Sequence, residues 1–165
     1  MKTVFFVRHA KSSWDSPYSD DKERPLSKRG FRDAPFMAKL LKGRGVKADS
    51  IFSSPAKRAL STALFFAEEL GMKERDIVIE EAIYEAFIPT VLQLIQNFSK
   101  QLDTVLVFGH NPTWTGLANY FSEAYIPNIP TCGVIKVEAA INDWPEFSQQ
   151  SARVTEIHYP KQYFD

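Results

Sequence analysis

The stretch Val4-Phe5-Phe6-Val7-Arg8-His9-Ala10-Lys11-Ser12-Ser13-Trp14 decides how the rest of the 165-residue chain is read. Residues 4–7 are apolar, aromatic and β-branched, which predicts a short, fully buried strand. The run stops at an arginine and a histidine, and a basic, hydroxyl-bearing loop follows. In open α/β sheets, ligands bind in the crevice outside the carboxyl ends of the strands. An arginine beside a nucleophilic imidazole at such a place suits an anionic ligand, phosphate above all. The same residues also read as an ordinary polar strand end, so the rest of the chain has to decide.

Residues 15–23, with Pro17 and several aspartates, read as a surface loop. Ser27 is placed to cap a helix over 28–42, with Phe31, Met37, Leu40 and Leu41 on its apolar face and Gly43 and Gly45 ending it. A second strand is expected at 49–53. Ser54-Pro55 then read as the N-cap and first residue of a helix that Gly71 ends. A third strand at 77–79 leads into a connection carrying Glu81, Tyr84 and Glu85, then a helix over 90–98. Residues 104–108 form the clearest buried strand. Gly109-His110-Asn111-Pro112 follow, with Asn111 or Thr113 capping a helix over 113–121. Residues 133–138 and 152–159 alternate in polarity and read as an antiparallel pair at one side of the sheet. The order β-α-β-α-β-α-β-α-β-β predicts an α/β fold of three layers, a mostly parallel central sheet with helices on both faces. The length favours a single domain over residues 1–165.

Parallel strands would carry Arg8-His9, Arg58 and Gly109-His110 to one edge of the sheet. Lys57 and Arg58 stand in the first turn of a helix, where the dipole disfavours cations. Either they are solvated, or an anion completes the site and the dipole, backbone N–H groups and Arg58 all point at it. Gly109 would allow a tight turn and a close ligand approach.

Other chemistries find less support. Acidic and basic residues balance at 20 each, so there is no global electrostatic case for nucleic acid or an anionic membrane. No apolar run is long enough to span a bilayer, and the first one is broken by Arg8-His9 too early for a signal peptide. Cys132 stands alone, which excludes an intramolecular disulfide. A cytoplasmic protein is expected. His9, His110 and His158 could ligate a metal, yet Arg8 and Arg58 would repel it and attract an anion, so no metal or cofactor is expected. His158 has no companion motif and reads as structural or exposed. The G-x-S-x-G elbow of serine hydrolases is missing, and Cys132 has no evident cationic partner to activate it.

Arg8-His9-Ala10, Ser53-Ser54-Pro55-Ala56-Lys57-Arg58-Ala59 and Gly109-His110-Asn111-Pro112, in that order, resemble the histidine phosphatase superfamily. Arg24-Pro25-Leu26-Ser27-Lys28-Arg29-Gly30, Pro130-Thr131 and the short length make the chain most similar to its SixA-like phosphohistidine phosphatases. The resemblance covers essentially the whole chain. It implies a phosphoglycerate-mutase-like fold and a metal-independent phosphatase with a phosphohistidine enzyme intermediate. His9 matches the nucleophile. Arg8, Arg58 and a protonated His110 match the rest of the phosphate pocket, and Ser12 falls where relatives carry a hydroxyl near the phosphate. Glu81 and Glu85 lie in the region of the general acid of many members; solvated loop carboxylates and proton donors both remain open readings. The implied partner is a phosphorylated protein carrying phosphohistidine, or a small phosphoester. The alternatives are a broad phosphomonoesterase using Glu85 or Glu81, and a non-enzymatic phosphoanion-binding module. A mutase is disfavoured, because so short a chain leaves little room for lid insertions.

Overall fold

Among the described residues six strands pair into one sheet: β1 (Lys2–Arg8), β2 (Ser50–Ser53), β3 (Ile77–Ile79), β4 (Thr104–Gly109), β5 (Val134–Ala139) and β6 (Ala152–His158). Their spatial order is β3-β2-β4-β1-β5-β6. The β3/β2, β2/β4 and β4/β1 pairs are parallel, and β5 and β6 are added antiparallel on the β1 side. The computed structural model describes residues 1–15 and 20–164; Pro17 of the expected 15–23 loop lies outside the described residues. Asp21–Glu23 forms a single 3-10 turn.

The helices are α1 (Lys28–Gly43), α2 (Lys57–Glu69), α3 (Ile88–Gln96) and α4 (Thr113–Tyr120). Side chains of a strand alternate between faces, and that alternation sorts the core. Phe5 and Val7 of β1 and Leu106 and Phe108 of β4 pack with Met37 and Leu41 of α1 and Phe66 of α2. Val4, Phe6, Val105 and Val107, one residue out of phase, pack with Val91 and Ile95 of α3 and Trp114 and Leu117 of α4. The central strands are thus buried on both faces, which is why they read as unbroken apolar runs. This is the three-layer α/β arrangement expected from the sequence.

Three local expectations need correction. The second helix starts at Lys57 behind Ala56, without a side-chain cap, and not at Ser54-Pro55. The Ser54 hydroxyl accepts from the Ala56 N–H at 3.2 Å and serves the turn before the helix. Gly109 is required by packing: a Cβ there would stand 2.2 Å from the Trp114 ring. Its lack of a side chain makes room for that indole, not for a ligand. The third helix begins at Ile88, ahead of residue 90, because Pro89 suits the first turn, where its missing N–H costs nothing. At the fourth helix Pro112 holds the N-cap position without a side-chain cap, and Asn111 just before it accepts from the Thr115 N–H through Oδ1 at 3.1 Å.

Candidate active site

Arg8 pairs with Gly109 and Ser53 with Phe108, so the carboxyl ends of β1, β2 and β4 finish side by side. Hydrogen bonding runs on beyond them. The His9 N–H donates to the Gly109 carbonyl at 3.1 Å, and the Ser54 N–H to that of Phe108 at 3.1 Å. The Cys132 N–H donates to the His9 carbonyl at 3.0 Å. Four segments distant in sequence are thereby fixed at one edge.

His9 is buried, 7% exposed. Its Nδ1 lies 2.8 Å from the Ala10 carbonyl oxygen. A carbonyl only accepts, so Nδ1 carries the proton and Nε2 keeps its lone pair. Burial drives the His9 pKa down to about 3; the Ala10 hydrogen bond opposes this, and His110, Arg58 and Arg8 add to it. At neutral pH the ring is an uncharged base with Nε2 free to attack. The Ala10 N–H donates to Thr62 Oγ1 at 3.0 Å, and that hydroxyl donates to the Arg58 carbonyl at 2.7 Å, which ties the His9 turn to the first turns of α2.

Arg8 Nη1 donates to the Ile129 carbonyl at 2.8 Å. Arg58 donates through Nη1 to the Asp21 carbonyl at 2.7 Å and through Nη2 to Asp21 Oδ2 at 2.9 Å. The His110 ring sits 5.2 Å from that of His9, and its Nε2 is hydrogen-bonded to Ser54 Oγ at 2.7 Å. Burial first, then Arg58, brings the His110 pKa down to about 4, so this ring too is neutral at pH 7 in the ligand-free protein. The protonated form implied by the resemblance needs a negative charge brought beside it.

Four buried side-chain nitrogens find no hydrogen-bond partner among the described residues. Three of them, Arg8 Nε, Arg58 Nε and His110 Nδ1, belong to this site. A buried polar group left unpaired costs about 1–3 kcal/mol. Two guanidinium donors in that condition, beside a neutral imidazole base, make a place that an oxyanion would satisfy.

A cleft of about 350 Å³ runs outward from Arg58 and His110 past Asp21, Tyr84, Glu85 and Phe87. Glu85 lines it, exposed and with φ 57°. Glu81 does not line it and lies 3.7 Å from Lys22 Nζ. Ser12 is buried, and its hydroxyl accepts from Arg24 Nη1 at 2.7 Å, with that guanidinium stacked 3.5 Å over the Trp14 ring. His158 lies on β6, 2.8 Å from Glu156. Cys132 is fully buried, and burial pushes its thiol pKa up. Sequence reasoning missed Asp21, the partnership of Tyr84 with it, and Ser54 as the partner of His110. Asp21 stands 37 residues before Arg58, and no spacing rule links the two.

Residues 4–94 match the model of the histidine phosphatase superfamily (branch 1). The chain belongs to the histidine phosphatase superfamily. It is 30% identical over 153 residues to an uncharacterized chloroplastic protein of Arabidopsis thaliana, covering 88% of this chain and 70% of that one. It superposes with a TM-score of 0.81 on the candidate phosphohistidine phosphatase SixA of Agrobacterium tumefaciens, at 28% identity, over 96% of this chain and 98% of that one. A protein histidine phosphatase SixA complexed with tungstate shares the fold at 21% identity and a TM-score of 0.81, over 97% of this chain and 98% of that one. This histidine phosphatase therefore carries the phosphoglycerate-mutase-like fold, and it is a phosphatase. No helix among its described residues is long and apolar enough to cross a membrane.

Proposed function

We propose that this histidine phosphatase hydrolyses phosphohistidine in proteins, without a metal, through a phosphoryl group carried transiently on His9. The observation that carries the proposal is that Arg8 and Arg58, whose buried Nε atoms find no partner among the described residues, both bear electrostatically on His9, 5.2 Å from the His110 ring. In this reading the phosphoryl oxygens take those donors, and His9 Nε2 attacks phosphorus in line. The anion draws a proton onto His110, which then donates to a phosphoryl oxygen as charge redistributes. Water hydrolyses the phosphohistidine intermediate and releases inorganic phosphate. The arginines supply the positive charge that a metal ion supplies elsewhere. Ser12 acts behind this set, holding Arg24. Likeness to the Agrobacterium SixA favours phosphohistidine as substrate, and an imidazole leaves with less assistance than an alkoxide. We place the protein in the cytoplasm and treat residues 1–165 as one domain, since all six strands share one sheet.

The test is phosphate release from a phosphohistidine peptide and from p-nitrophenyl phosphate, with chelator present, by wild type and His9→Ala. Preference for the peptide, with both activities lost in His9→Ala, is the expected result. Equal or better turnover of the aryl ester would favour a broad phosphomonoesterase, a reading that Glu85 in the cleft keeps open. Stoichiometric phosphate binding without turnover would make the chain a binding module.

A further inference from the structure

Asp21 occupies the cleft at a point where phosphate binding alone requires no carboxylate. Its Oδ2 accepts from Arg58 Nη2 at 2.9 Å and from the Tyr84 hydroxyl. Its Oδ1 accepts from Arg24 Nε at 3.1 Å, and its backbone carbonyl accepts from Arg58 Nη1 at 2.7 Å. One residue thus holds both terminal nitrogens of the arginine that the phosphoryl group needs. A phosphoryl dianion competes for those nitrogens with twice the charge. Once displaced, the carboxylate keeps Tyr84 and Arg24, loses Arg58 and gains a doubly negative neighbour.

We infer that Asp21 is the general acid–base of this phosphatase, armed by the substrate that displaces it from Arg58. The inference rests on His9 being the nucleophile. In-line displacement puts the leaving atom on the side of phosphorus away from His9 Nε2. The cleft that starts at Arg58 and His110 is lined by Asp21 and not by His9, so it is where the leaving group lies. In the ligand-free protein the Tyr84 hydrogen bond first, then Arg58 and Arg24, hold the Asp21 pKa at about 2. Like charges raise a carboxyl pKa and opposite charges lower it; exchanging Arg58 for a dianion therefore drives Asp21 toward the acid form. The other titratable groups around the cleft are the neutral His110, Glu85, and Lys22, which sits 4.8 Å over the Tyr84 ring and pairs with Glu81.

On binding, Asp21 takes a proton from solvent. As the His9 Nε2–P bond forms and the bond from phosphorus to the leaving atom breaks, that proton passes to the leaving atom. Water then attacks phosphorus, the P–Nε2 bond breaks, and a proton of the water returns to Asp21. When phosphate departs, the carboxylate gives its proton back to solvent and re-forms the Arg58 pair.

The experiment is rapid-quench measurement of the first turnover with phenyl phosphate and p-nitrophenyl phosphate, together with mass-spectrometric detection of phosphoryl on His9 under alkaline quench. A missing general acid costs about a hundredfold or more where the leaving group is poor. Asp21→Asn should therefore lose about a hundredfold on phenyl phosphate and far less on p-nitrophenyl phosphate. Asp21→Ala should repeat that pattern, while Glu85→Gln keeps the wild-type ratio. Equal loss on both esters in the Asp21 variants, a gain on both, or transfer of the pattern to Glu85→Gln would overturn the inference while leaving labelled His9 intact. No phosphoryl on wild-type His9 would overturn the nucleophile reading and this inference with it.

Discussion

At the scale of the residue, the site is made of groups held in states they would not adopt in water. His9 and His110 are kept neutral, with pKa values down to about 3 and about 4, chiefly by burial. An unfolded histidine takes its proton near the ordinary value, about 6.5. Between that value and the folded ones the unfolded chain binds more protons, so stability rises with pH across this window and is lost as pH falls through it. Each histidine contributes up to about 1.4 kcal/mol per pH unit. Urea unfolding at pH 7 and pH 5 should show the loss, and His9→Gln should flatten the slope between the two. An unchanged slope in the variant would mean that His9 does not titrate as a buried group. Arg58 is held against a different penalty, as a cation in the first turn of a helix whose dipole disfavours it. Arg58→Ala should reduce turnover by about a hundredfold or more, as loss of one electrostatic donor to a developing charge does; steady-state kinetics checks it.

At the scale of the element, the turn after β1, which carries the proposed nucleophile, is clamped from two helices. From α2, Thr62 Oγ1 accepts from the Ala10 N–H. From α1, Gly30 lies so close to the turn that a Cβ would stand 2.2 Å from the Lys11 carbonyl oxygen. Thr62→Val leaves the Ala10 N–H buried and unpaired, an expected loss of about 1–3 kcal/mol measurable by chemical denaturation. Gly30→Ala forces backbone apart directly behind the proposed nucleophile. It should depress kcat by at least the factor expected for an ångström-scale misplacement, about a hundredfold. Assay of the folded variant, with its circular dichroism unchanged, is the check. The antiparallel β5 bears on the same turn at the other side of β1, where the Arg8 N–H donates to the Gly133 carbonyl at 3.0 Å.

At the scale of the whole molecule, the sheet presents its binding edge between two separately packed helical layers. Trp114 and Phe6 meet edge to face at 5.8 Å in one layer, Phe66 and Phe108 at 5.1 Å in the other. Both layers press on β1 and β4, whose carboxyl ends lead into the proposed phosphate donors. An anion that satisfies them should stabilise the entire fold. Inorganic phosphate at a hundred times its Kd adds about 2.7 kcal/mol to unfolding. Thermal melts should show a rise in Tm with phosphate for the wild type and none for Arg8→Ala/Arg58→Ala; an equal rise in both would place the bound anion elsewhere.

The chain by itself determined the alternation of strands and helices, the Ser27 cap, and the placing of Arg8-His9 and His110 after strands and of Arg58 in the first turn of a helix. Each follows from short-range rules: apolar period, capping chemistry and the dipole of a helix. Residues 4–7 and 104–108 could be read as doubly buried strands because nothing polar interrupts them. Only the tertiary structure decided that Ser54 serves His110 and not a helix N-terminus, that Gly109 yields to Trp114, and that Asp21 lies on Arg58. These are pairings between segments tens of residues apart. They are set by strand register and by which side chains the two packed layers bring within hydrogen-bond reach, and no local pattern in the sequence encodes them.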